Sequence, residues 1–519
     1  MIGSGFAGSL MAMIAQRLGK RVVLVERGKH PRVVIGESST PLSNLLLDEL
    51  AARYCLPLRP LTKWGSWQSN YPEIACGLKR GFSFFHHRPA QTANRGISRE
   101  NQLLVAASPH DAIADTHWYR ADIDQLFVQQ AQELGVEYLD EVNLSHFSAD
   151  GQGASLQGTR HNKDVRIAAR FVIDATGPRG FLHNALGLQE DGFPAFPETQ
   201  ALYSHFSGAT QFDTLLASEG AGLPPYPVDD AAVHHIFEGG WIWVLRFNND
   251  VTSAGIAATP KLANQLKLTE GGHAWERVME ALPSLREQFK QTKPVQPFRH
   301  IPRLAFRTAD ITGGNWALLP STAGFVDPLL STGFPLTLLG ITRMARIFER
   351  DVGTGGSFDE LERYSRQTDS ELVAVSRLIS ALYANMSNFP VFKALTLIYF
   401  AAAIYSETVR RLGKPEMAAS FLLHDDHVFG PGSSRLLQRA RAVQPGKESE
   451  ELIEDILRFI EPFDVAGLCD RDRSNWYPVR GEDLLNSAAK VNSCRDEVMR
   501  MLERSGFWPA TSVALERSV

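Results

Sequence analysis

Gly3-Ser4-Gly5-Phe6-Ala7-Gly8 sets Gly3, Gly5 and Gly8 at the spacing of a pyrophosphate-binding loop, and Glu26 closes the following apolar run Arg21-Val22-Val23-Leu24-Val25. Glycines let the backbone approach a pyrophosphate resting on a helix N-terminus, and an acid about 20 residues on takes a ribose hydroxyl. An acid at that place disfavours a 2′-phosphate, so FAD or NAD is expected rather than NADP. Three other sets of residues carry chemistry. Lys79 ends Ala75-Cys76-Gly77-Leu78-Lys79, and burial would favour its neutral amine; a surface lysine on a half-buried strand fits the same flanks. Trp241 and Trp243 put two indoles on one face of a strand, which is also plain alternating packing. Phe325-Val326-Asp327-Pro328-Leu329-Leu330-Ser331-Thr332-Gly333 leads into a helix expected near Thr332, whose free amides suit an anion or a flavin edge.

The elements that must position these residues follow from the pattern. A helix from Ala7 to about Leu18 and the strand Arg21–Val25 complete a βαβ start. Only Met1 and Ile2 precede the glycine loop, where a buried strand of roughly five residues is expected; the central strand is almost missing as written, which suggests a misplaced start or a truncation. Gly36-Glu37-Ser38-Ser39-Thr40-Pro41 reads as a loop. Arg120 opens a helix running to Leu134. Phe171-Val172-Ile173 reads as a strand ending in Asp174-Ala175-Thr176-Gly177, where an acid and a glycine can approach a cofactor closely. Short β-like runs between about 195 and 300, such as Tyr203 to Phe206, fit an antiparallel sheet inserted between the nucleotide-binding segments. Residues 345 to 519 read mostly as helices, amphipathic at Glu450 to Ile460 and Leu484 to Leu502, and such a tail covers an aromatic site or mediates a homodimer. His86-His87 and His234-His235 are adjacent pairs; neighbours on a strand face opposite sides and chelate poorly, so no metal site is expected.

Bulk composition excludes several classes. The 519 residues carry a formal net charge of −5, against the basic patch that nucleic-acid binding needs. Four cysteines without CxxC spacing read as free thiols of a reducing compartment. The most apolar stretch, Ala394 to Tyr405, is shorter than the roughly 20 residues of a membrane span and reads as a core helix. No signal peptide is expected ahead of a glycine loop at residue 3, so a cytoplasmic protein is expected.

Over residues 1 to about 415 the chain resembles the flavin-dependent halogenases, within the flavoproteins related to aromatic hydroxylases. Phe325, Pro328, Ser331 and Gly333 match the pattern FxxPxxSxG, Trp241 and Trp243 the start of WxWxIP, and Lys79 falls where that family has its catalytic lysine. Ala75 to Phe84 and Asn388 to Lys393 look closest to the branch acting on free phenols such as phloroglucinol. The resemblance implies an α/β two-dinucleotide-binding FAD fold: a FAD segment at 1–190, a substrate sheet at 191–300, a FAD return segment at 301–345 and a helical region at 346–519. It implies that FADH2, supplied by a separate NAD(P)H flavin reductase, forms a C4a-hydroperoxide. Chloride or bromide is then oxidised to hypohalous acid, which travels to Lys79 and halogenates a small electron-rich aromatic, free or carrier-bound. Gly3, Gly5, Ala7, Gly8, Glu26, Glu37, Ser38, Arg120, Asp174, Gly177, Phe325, Pro328 and Ser331 are then cofactor-binding, Thr332 and Gly333 halide-binding, and Trp241 and Trp243 flavin-shielding. Two departures bear on chemistry. Leu330 stands where tryptophan-specific members have a glutamate, and Pro320-Ser321 replaces the Gly-Asp of flavin hydroxylases. Val244-Leu245-Arg246 does not complete WxWxIP. The competing readings are a flavin-dependent aromatic hydroxylase and a decayed, non-catalytic flavoprotein.

Overall fold

In a computed structural model, residues 1–88, 98–150, 153–215, 223–350 and 358–508 are described. The glycine loop runs straight into the helix Phe6–Arg17, whose residues from Phe6 to Ala15 are all buried. A helix covered on every side needs no polar stripe, and this one packs against the helix Arg120–Glu133. A Cβ on Gly8 would stand 1.9 Å from the Gly3 carbonyl oxygen, so only glycine lets the loop close.

The parallel strands beside it are Glu137–Leu139, Val23–Val25, Val172–Asp174 and Trp316–Leu318. Ile2 forms parallel bridges to both Val25 and Asp174 and joins the two halves. Its amide donates to Ile173 O at 2.9 Å and its carbonyl accepts from Ala175 N at 2.8 Å, while Gly3 N donates to Val25 O at 2.7 Å. The two residues ahead of the glycine loop therefore act as the last rungs of the central strand, bonded on both sides.

A second, nine-stranded sheet holds the tryptophans. Its middle runs Gln200–Ser207, Val251–Ala258, Gly240–Arg246, Ala232–Phe237, Gly81–His86 and Gln102–Ala106. It is antiparallel except where Ala232–Phe237 meets Gly81–His86 and where Trp476–Tyr477 adds to Gln102–Ala106. The sheet thus draws strands from before residue 191 and from beyond residue 345. It also divides two apolar cores. Trp241, Trp243 and Leu245 face the core shared with the nucleotide-binding helix, whereas Ile242 and Val244 face a smaller core under Trp275 and Phe289. The adjacent histidines split in the same way: His234 stacks on Phe84 and Trp241, and His235 packs on Phe212 and His87.

Lys79 lies on a separate two-stranded ladder, Cys76–Lys79 against Asp115–Trp118, in which Lys79 is the cross-strand partner of Asp115. Main-chain contact fastens this ladder to the end of the tryptophan strand. Asn248 N donates to Cys76 O at 2.9 Å, and a Cβ on Gly77 would stand 1.9 Å from Arg246 O.

The apolar segment lies in the helix Phe389–Arg411, long and apolar enough to cross a membrane, yet 78% of its most apolar window is buried inside the protein. It is a core helix, against which Lys447–Ile460 lays Leu452, Ile456 and Ile460, one turn apart. Gly77→Ala is expected to cost about 1–3 kcal/mol through overpacking; a lowered denaturation midpoint with an unchanged denaturant slope would show it, and an unchanged midpoint would contradict the contact with Arg246.

Candidate active site

The glycine loop and its neighbours form a charged cradle in which each guanidinium is paired with a carboxylate. A methyl added at Gly5 would meet Arg120 Nη2 at 3.4 Å and Arg32 Nη2 at 3.6 Å, so two guanidiniums flank the start of the first helix. Arg120 is held as a fork by Asp124, with Nε and Nη2 donating at 2.8 and 2.9 Å, and its Nη1 donates to Gly36 O at 2.9 Å. Ala7 lies in the helix's first turn, where its small side chain is buried. Glu26, at the strand end, accepts from Ser4 N at 3.0 Å, Ser4 Oγ at 2.9 Å and Gly28 N at 2.9 Å, and pairs with Arg32 at 3.3 Å. Burial would raise its pKa, but Arg32 and these bonds outweigh it and hold the carboxyl below its usual range. Arg32 Nε and His30 Nδ1 are buried and have no protein partner among the described residues, so the Arg32 N–H stands ready as a donor for a ligand beside the acid. Glycine loop, paired guanidiniums and ionised Glu26 fit the pyrophosphate and ribose of FAD.

The other expected cofactor residues divide. Asp174 is buried and caps the turn after its strand: Oδ1 accepts from Thr176 N at 2.9 Å and Oδ2 from Leu182 N at 2.6 Å. Gly177, at φ +83, donates its amide to Thr322 Oγ1. Glu37 is turned toward the sheet, where it bonds His205 Nε2 at 2.7 Å. Ser38 is turned toward the lysine.

Lys79 is wholly buried. Its Nζ donates to Ser38 Oγ at 2.9 Å and Ser39 O at 2.5 Å, and lies 3.9 Å from the centroid of the Phe82 ring. Burial, only partly offset by the Asp115 carboxylate, brings the amine down to about 7. The two bonds use both N–H groups of a neutral amine, or leave one N–H of the ammonium free.

Trp241 is tied to the FxxPxxSxG segment. Its Nε1 donates to Asp327 Oδ1 at 3.2 Å and to Tyr383 OH at 3.1 Å, and Tyr383 OH donates to Asp327 Oδ2 at 2.9 Å. Burial, opposed by bonds from Leu329 N and these side chains, pushes the Asp327 carboxyl up to about 6. Trp243 bonds Ser253 Oγ at 3.3 Å and lies 5.8 Å from Trp241, centroid to centroid. Phe325 pairs across a short ladder with Phe306, Pro328 begins a tight turn, and Leu330 and Ser331 both take positive φ, +66 and +55. Two successive left-handed non-glycine residues store strain in this turn. Thr332 then caps the helix Gly333–Glu349. Thr199 Oγ1 also donates to Asp327 Oδ2 at 3.3 Å. Asp115, Tyr383, Thr199 and the link from Ser38 and Ser39 to the lysine carry no local signal, because each joins segments far apart in the chain; Asp327 stood inside the motif.

An aromatic-lined cavity lies next to the lysine ladder. Phe82, whose ring lies against the Lys79 amine, and Asp115, its cross-strand partner, line it; Tyr399 and Phe400 come from the apolar helix, and Leu502 and Phe507 from the C-terminal region.

Cradle and parallel sheet together make a dinucleotide-binding fold. The pattern of the family described as tryptophan halogenase matches residues 89–390, more than half of the chain, and the chain belongs to that family. It is similar to monodechloroaminopyrrolnitrin halogenase PrnC of Pseudomonas fluorescens, 27% identical over 418 residues, 78% of this chain and 71% of that one. It is also similar to the tetracycline 7-halogenase of Kitasatospora aureofaciens, 25% identical over 419 residues, 78% of this chain and 73% of that one. In fold it matches halogenase PltM, solved with phloroglucinol and FAD, at a TM-score of 0.78 and 22% identity, over 91% of this chain and 98% of that one. The protein is a flavin-dependent halogenase with FAD as its cofactor. Glu26→Gln is expected to weaken FAD binding about tenfold or more, as loss of a charged hydrogen bond does; fluorescence titration of the apoprotein reads it, and an unchanged affinity would remove Glu26 from the cradle.

Proposed function

We propose that the enzyme halogenates a phenolic or similarly electron-rich arene, with Lys79 presenting the halogen. The observation that carries this reading is a fully buried lysine, held by Ser38 Oγ and Ser39 O, beside an aromatic-lined cavity. Reduced FAD, renewed by a separate reductase, supplies with oxygen the oxidising equivalent that turns chloride or bromide into hypohalous acid. Thr332 and Gly333 offer helix-start amides to the halide. Trp241, pinned by Asp327 and Tyr383, shields the flavin side from the arene. Trp241, His234, Phe84 and Phe82 form a continuous series of ring contacts ending under the Lys79 amine. Hypohalous acid formed at the flavin is carried to Lys79, which holds it for electrophilic substitution. The phenolic assignment is supported by Leu330, which leaves this turn without the carboxylate of tryptophan-specific enzymes, and by the apolar, aromatic cavity.

Purified protein given FAD, a flavin reductase, NADH, bromide and a panel of phenols, indoles and pyrroles is expected to yield a phenol carrying the bromine isotope doublet. Lys79→Ala is expected to abolish that product while FAD binding and oxygen consumption persist. An oxygenated, halogen-free product would make the enzyme a hydroxylase, and bromination surviving Lys79→Ala would end the proposed role of the lysine.

A further inference from the structure

Asp115 faces the same cavity, and the halogen-presenting role of Lys79 does not use it. Its side chain is buried, with Oδ1 accepting from Asn44 Nδ2 at 2.8 Å. Oδ2 has no hydrogen-bond partner among the described residues. A buried carboxylate oxygen left without a donor is costly, and this one stands in the wall of a cavity lined by Tyr399, Phe400, Leu502 and Phe507. Asp115 is also the cross-strand partner of Lys79, and neighbours on one face of an antiparallel pair have Cβ atoms about 5 Å apart. Phe82, whose ring centroid lies 3.9 Å from Lys79 Nζ, lines the same cavity, so an arene seated there lies beside both strands of the ladder.

We propose that Asp115 Oδ2 is the substrate-recognition and general-base group of this enzyme: it accepts the hydroxyl proton of the phenol while Lys79 presents the halogen, so that substitution falls on a ring carbon activated by that hydroxyl. This rests on the role proposed above for Lys79. With the pair as ammonium and carboxylate, the free N–H of Lys79 bonds the oxygen of hypohalous acid. The ring carbon attacks the halogen; the C–X bond forms and the O–X bond breaks. The departing hydroxide takes a proton from Lys79 and leaves as water, and the phenolic proton passes to Asp115. Loss of the ring C–H proton to the Lys79 amine restores the aromatic ring, and Asp115 returns its proton to the phenolate oxygen. The sum is arene plus hypohalous acid giving haloarene plus water, with both side chains restored.

Burial pushes the Asp115 carboxyl upward, and Lys79 opposes this. The other groups that act on it are Asn44, and Glu407 and Arg411 from the helix Phe389–Arg411; the Tyr399 hydroxyl feels it from the same helix, and Lys63 and Arg480 lie further round the cavity wall. As pH falls and Asp115 takes up its proton, it can no longer accept one from the phenol, so the wild-type rate carries an acid limb.

The test compares wild type, Asp115→Asn, Asp115→Glu and Lys79→Ala on a phenol and on its O-methyl ether, with FAD affinity and release of hypohalous acid to a 1,3-diketone trap measured alongside. Asp115→Asn is expected to lower phenol halogenation about a hundredfold, in the usual range for a general base, and to abolish the acid limb, with FAD affinity and trap halogenation unchanged. The ether, which has no proton to give, is expected to be a poor substrate that loses nothing further in Asp115→Asn, and Asp115→Glu is expected to recover part of the phenol rate. Phenol halogenation that survives Asp115→Asn but not Lys79→Ala would overturn the role of Asp115 and leave that of Lys79 standing. Equal losses on phenol and ether would reduce Asp115 to a packing residue and overturn the proposal too. Halogenation surviving Lys79→Ala would instead bring down the reading beneath it.

Discussion

Burying the ammonium of Lys79 is the constraint around which the rest of the site is built. A lone charge in an apolar interior is untenable, and this lysine is surrounded by three answers to that problem: the acceptors of Ser38 and Ser39, the ring of Phe82, and the carboxylate across the ladder. Each restrains the amine without saturating it, which leaves one N–H or a lone pair for a ligand. Burial brings its proton affinity close to neutrality, where small changes in the cavity decide whether it acts as donor or amine.

The same arrangement binds the two halves of the molecule. Ser38 and Ser39 belong to the loop that follows the nucleotide-binding segment, and Ser39 Oγ also donates to Thr116 O of the lysine ladder at 2.8 Å. On the far side the ladder meets the tryptophan strand through Gly77 and Arg246. Trp241, on that strand, is locked to Asp327 in the motif segment that ends at the start of the helix Gly333–Glu349. The motif segment and the lysine ladder are thus connected through main chain and buried hydrogen bonds, which hold position better than flexible surface contacts.

Local pattern made much of this legible. The glycine loop, Glu26 and the first helix have short-range signatures, and the helix Phe6–Arg17 and the strand Val23–Val25 lie within a residue or two of their expected places. Alternation placed both tryptophans on one face, and adjacency placed paired histidines on opposite faces. What eluded the sequence is long-range. Nothing near residue 115 announces that it will stand opposite Lys79, because strand register is fixed by partners far along the chain. Glu37 and Ser38 look alike as loop residues, yet one bonds His205 and the other Lys79. Met1 and Ile2, too short to be read as a strand, are hydrogen-bonded to strands on both sides, Met1 to Val25 and Ile2 to Ile173 and Ala175. Tyr383 lies 56 residues from the Asp327 it serves, and only packing of its helix brings it there.

Direct titration of the Lys79 amine by nitrogen NMR on protein labelled at lysine Nζ, with Lys79→Ala to assign the signal, tests the central claim most closely. A midpoint near 7 is predicted, against 10.5 for an ordinary lysine. A midpoint in the ordinary lysine range would contradict the account, because burial would then not have brought the amine to the point where it can act both as donor and as base.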